Sequence, residues 1–144
     1  MKTLTAILFS MLFWAMSAHA QTLYAADTYE LRNTNPCGFF DGGKIYIANA
    51  YGLSKKVVGF IEDGKIYSAD VYEVKDYVVG YIEGKTIFNA DNYGVKYKPI
   101  AFLADGKVYA ADVYGVKGKV IGFYSGDNNT GAACAAILRL VRRH

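Results

Sequence analysis

Histidine is almost missing from this chain, and cysteine, proline and tryptophan are nearly so: two His, two Cys, two Pro and one Trp among 144 residues. Each shortage excludes something. The histidines are His19, close to the N-terminus, and the final residue, His144. No Ser-His-Asp or Cys-His constellation can be set on a rigid position from that stock. Two thiols are too few for a disulfide scaffold, and their spacing does not suggest a metal site, which needs more ligands. A phosphate-cradling glycine loop is absent as well. Strong charge of one sign is also lacking. The net charge is +3, and without Lys2 there are 15 Lys and Arg against 13 Asp and Glu. Such a balance gives no footprint for nucleic acid.

Long apolar runs are confined to the start of the chain. Lys2 precedes the run Leu4 to Ala15, which holds Trp14, and Ala18-His19-Ala20 is a small-x-small site. This is the pattern of a cleaved secretory signal peptide over 1–20, with a mature start at Gln21. The run is shorter than the ~20 residues that span a bilayer, so no membrane span is expected in the mature protein. Export places the protein in the periplasm or outside the cell. In such a compartment Cys37 and Cys134 can form one disulfide or remain two buried thiols, and both readings stay open.

What is abundant is repetition. Phe39, Phe60, Tyr81, Phe102 and Phe123 lie 21 residues apart, each preceded by Gly or, once, by Ala101. Other columns keep the same period: Tyr46, Tyr67, Phe88 and Tyr109; Asn49, Asp70, Asp91 and Asp112; Tyr51, Tyr72, Tyr93 and Tyr114. A fixed period of this length marks tandem structural units.

Each unit reads as a β-hairpin. In "VVGFIEDGKIYSAD" two β-branched and aromatic runs flank Asp63-Gly64, and the equivalent pairs are Gly42-Gly43, Gly84-Lys85 and Asp105-Gly106. Two-residue hairpin loops need positive φ, which glycine supplies. Counting outward, Glu62 faces Lys65, Ile61 faces Ile66, Phe60 faces Tyr67, Gly59 faces Ser68 and Val58 faces Ala69. Both faces are apolar beyond the tip, so hairpins must pack on one another. Pro36 and Pro99 fill a column held elsewhere by Val57, Val78 and Val120, and proline is tolerable there only at a strand start or where no ladder bond is needed.

The ends are halves of a unit. "QTLYAADTYEL" at 21–31 is a second half and "VIGFYSGD" at 120–127 a first half. The expected fold is therefore all-β: five tandem 21-residue hairpin repeats over 21–128, closed into a ring by pairing of the N- and C-terminal strands. An open solenoid is the alternative. The Ala-rich segment 129–144 is expected to form a short C-terminal helix packed on the repeats.

The signal peptide, "TLYAAD", the tandem "GKIYSAD" and "ADVYGVKGKVIG" phrases and the Ala-rich end together resemble the five-fold beta-flower proteins, small exported bacterial proteins related to a four-fold version. The resemblance covers nearly all of 21–144. It implies the ring of hairpins and no established activity.

Two columns are candidates for function. Asp27, Asn49, Asp70, Asp91 and Asp112 can ring a hard cation, or each can cap its own turn, which is the reading preferred. Tyr29, Tyr51, Tyr72, Tyr93 and Tyr114 can line a ligand recess, or wedge between adjacent hairpins with their hydroxyls in water, which is the reading preferred. The expectation is a non-catalytic binding or structural module without a cofactor, with a glycan or envelope component as its partner class. An enzyme with a site between repeats or across an oligomer is the alternative.

Overall fold

A computed structural model of the protein describes residues 21–126. Ten strands make up its regular structure: β1 (Gln21–Ala25), β2 (Gly38–Asp41), β3 (Lys44–Ala48), β4 (Ser54–Glu62), β5 (Lys65–Ala69), β6 (Lys75–Glu83), β7 (Thr86–Ala90), β8 (Lys96–Ala104), β9 (Lys107–Ala111) and β10 (Lys117–Tyr124). Every strand pairs antiparallel with its neighbours in sequence, and β1 pairs with β10, so the sheet closes into a barrel. The seam is Leu23 opposite Tyr124, Tyr24 opposite Phe123 and Ala25 opposite Gly122. Closure leaves no edge strand among the described residues to pair with another chain. The signal peptide expected over 1–20, the helix expected over 129–144 and Cys134 lie outside the described residues.

The two-residue turns set the local register. Glu62 faces Lys65, Ile61 faces Ile66, Phe60 faces Tyr67 and Gly59 faces Ser68. Positive φ occurs at both central residues of Gly42-Gly43, Asp63-Gly64 and Asp105-Gly106. This is the signature of type I′ turns, whose twist matches that of the flanking strands. Gly64, at φ 75°, would bring a Cβ to 3.4 Å from the Ile82 carbonyl. A β-branched residue there is strained by its own backbone. Gly64→Val is expected to lower unfolding free energy by about 1–2 kcal/mol. An unchanged urea midpoint at unchanged slope would count against the turn.

Across the longer connections the ladder shifts. Ile45 faces Gly59 but Tyr46 faces Val57, so Val58 is an extra residue. The same shift falls in β6, β8 and β10. A bulge breaks the alternation of faces. It corrects the position of Val58, expected to face Ala69 on the aromatic side: the ladder between β4 and β5 ends at Gly59 and Ser68, and Val58 packs with Leu23, Phe40 and Ile45.

The interior is built in layers of such side chains, as small barrels fill. Leu23, Ile45, Ile66, Ile87 and Val108 are the largest fully buried side chains, none more than 1% exposed. Phe40, Ile61, Ile82, Leu103 and Tyr124 stand opposite them across the strand pairs. Tyr124 brings a phenol into that layer, and burial pushes its pKa up. Val79, Ile100 and Ile121 pack on the same core. Cys37 belongs to the Val58 layer, and its Sγ donates to the Leu23 carbonyl at 3.3 Å.

Candidate functional site: exposed tyrosine loops at one end

The up-and-down order places all the two-residue turns at one end of the barrel and the longer connections at the other. The latter hold the five segments 27–31, 49–53, 70–74, 91–95 and 112–116. Each is closed by its first residue. Oδ1 of Asp27, Asn49, Asp70, Asp91 or Asp112 accepts from the amides two and four residues on, at 2.8–3.0 Å. The backbone adds two more bonds, such as Asp70 N to Val74 O at 2.9 Å and Glu73 N to Asp70 O at 3.0 Å. Side chains of Asp and Asn form such turns because their carbonyl oxygen mimics a backbone acceptor. These oxygens serve their own loops. Among the described residues no group of three or more His, Cys, Asp or Glu is placed to hold a metal ion.

The second tyrosine column sits on these loops. Tyr29, Tyr51, Tyr72, Tyr93 and Tyr114 are 82–91% exposed. They do not wedge between hairpins, because the capped loop holds the ring outward from a short, closed turn. Leu31, Leu53, Val74, Val95 and Val116 stand beside them and are also exposed. Exposed apolar side chains held on bonded loops leave unburied contact area at this end.

Below the loops the outer wall carries an aromatic column capped by cations. Arg32 lies over Tyr24, Lys75 over Tyr67, Lys96 over Phe88 and Lys117 over Tyr109, at 4.5–4.9 Å from the ring centroids. Lys75 then reaches Glu62 and Lys96 reaches Glu83, each at 2.5 Å. The hydrogen bond from Lys75 holds the Glu62 carboxyl below its ordinary pKa. Sequence reading missed this column of cations, although its period was visible in Lys75, Lys96 and Lys117.

The fourth position of each loop adopts left-handed φ: Glu30 (63°), Gly52 (74°), Glu73 (62°), Gly94 (76°) and Gly115 (76°). The glutamates are at a conformation that disfavours them. Their carboxylates serve neighbouring strands: Val57 N donates to Glu73 Oε1 at 2.5 Å and Val120 N to Glu30 Oε1 at 2.6 Å. Beside the fourth loop lies a groove of about 710 Å³, lined by Lys65, Tyr77, Val78, Tyr81, Tyr93 and Gly94 among others.

No family model, curated protein or solved structure matches the chain.

Proposed function

We propose that this is an exported, non-catalytic binding module of the cell envelope or the extracellular space, a five-fold beta-flower protein made of five tandem hairpin units behind a cleaved signal peptide. Its contact surface is the end that carries Tyr29, Tyr51, Tyr72, Tyr93 and Tyr114, and its partner is a glycan or another envelope component. One observation carries the reading: five tyrosines on hydrogen-bonded loops are all more than four-fifths exposed. A packing role would bury them. Rigid exposed aromatics lower the ordering cost of binding, since the loop is already fixed.

The test is a glycan and peptidoglycan array probed with the purified protein. Binding to a defined set of glycans is expected, reduced about tenfold or more in a variant combining Tyr29→Ser, Tyr51→Ser and Tyr114→Ser. The same variant should keep its melting temperature, because the rings contribute little buried area. Binding that is indifferent to all three changes would overturn this surface.

A further inference from the structure

The column Pro36, Val57, Val78, Pro99 and Val120 poses one problem in each unit. Its residues sit opposite the first-strand aromatic at the bulge: Tyr46 faces Val57, Tyr67 faces Val78, Phe88 faces Pro99 and Tyr109 faces Val120. The amide at this place is turned toward the next loop, as the bond from Val57 N to Glu73 shows. A polar amide needs an acceptor or must be removed. The chain does one or the other at four places. Pro36 and Pro99 carry no N–H, and they lie against Gly52 and Gly115, whose added Cβ atoms would come to 3.0 and 3.8 Å of the proline rings. Val57 and Val120 keep the N–H, and they are matched by Glu73 and Glu30.

The fifth place is different. Val78 keeps its amide, and the loop residue facing it is Gly94, with an added Cβ 3.9 Å from the Val78 Cβ. Gly94 brings no carboxylate. This is also where the groove opens, with Lys65 adding an ammonium to the lining and Tyr77 and Tyr93 adding rings. The loop is tied in place there, since the Tyr81 hydroxyl donates to the Gly94 carbonyl. Phe39, Phe60, Phe102 and Phe123 fill the Tyr81 column elsewhere and have no hydroxyl to do so.

We propose that this groove binds the carboxylate of an acidic sugar, which takes from Val78 N–H the hydrogen bond that Glu73 and Glu30 take at the equivalent places. A carboxylate is the chemistry the protein itself uses there, and charge-assisted bonds to backbone amides are the strong ones. Lys65 complements the charge, while Asp91, which also lines the groove, has its Oδ1 engaged by the amides of Tyr93 and Val95. The rings of Tyr77 and Tyr93 suit a sugar because its C–H face packs on an aromatic face. The site deepens the binding reading above and rests on it. Tyr29, Tyr51 and Tyr114 do not line the groove, so failure here leaves the array experiment standing.

The experiment is a titration of the ¹⁵N-labelled protein with glucuronate, acetate and glucose, following the Val78 amide. Glucuronate should shift that resonance saturably, acetate about tenfold more weakly, and glucose not at all. Gly94→Glu supplies an internal carboxylate, as Glu73 and Glu30 do, and should abolish the response. Val78→Pro removes the amide, as Pro36 and Pro99 do, and should abolish it independently; the response is then read on Tyr93 and Gly94 amides. Absence of a saturable shift in the parent overturns the site. So does a glucuronate response that survives either substitution, and a response to acetate equal to that of glucuronate overturns the sugar assignment.

Discussion

Ile66→Ala is expected to lower the unfolding free energy by about 2–5 kcal/mol, read as a fall in urea midpoint at constant slope. Ile66 has no exposed surface and lies in one cluster with Ile87, Ala101, Leu103 and Val108. Its cross-strand partner Ile61 packs on that same cluster. The lost methylenes remove transfer free energy, and a barrel interior closed on all sides relaxes only partly around the gap. Val71→Ala is the comparison, since Val71 is 90% exposed on the third loop. That change should stay within about 0.5 kcal/mol. Equal effects at the two positions would mean that the Ile66 side of the sheet is not the packed one.

Removing β10 should have a larger effect still. A chain ending at Val116 loses the strand that bonds both β9 and β1, and two edges open. It also loses Ile121 and Tyr124 from the packed core, and the buried Val120. The cost is expected to reach the whole stability of a domain this size, about 5–15 kcal/mol, so no cooperative urea transition should remain. A circular permutant supplies the contrast. Thr22 and Ser125 are already bonded, with Ser125 N to Thr22 O at 3.1 Å. Joining Gly126 to Gln21 and reopening between Asp63 and Gly64 retains all ten strands and should still unfold cooperatively. A truncated chain as stable as the parent would show that the seam is dispensable.

Much of this fold could be read from residues because its strongest signals are local. Asp63-Gly64 and its equivalents need positive φ, and a two-residue loop leaves one register for the strands it joins. Four cross-strand pairs follow from that alone. The half-units at 21–31 and 120–127 likewise pointed to the seam between β1 and β10. The candidate site was less legible. The tyrosine period was plain, yet whether the rings point inward or outward depends on how Asp27 and its equivalents close their loops. The bulge that turns Val58 inward could not be read at all, since it leaves no residue type as its mark.

The amino-acid sequence by itself determined the unit, its turn, its register and the complementarity of its two ends, all of which depend on contacts a few residues apart or on identical copies. Only the tertiary structure decided which of two apolar faces became the interior. Curvature of the closed sheet gathers Leu23 and Ile45 in one buried cluster and Ile66, Ile87 and Val108 in a second, with Ile61 and Tyr124 packed on both, and leaves the aromatic column outside under its cations. It also matched Glu30 to an amide 90 residues away. Such pairings exist only once the ring is complete, because closure is what makes the first loop and the last strand neighbours.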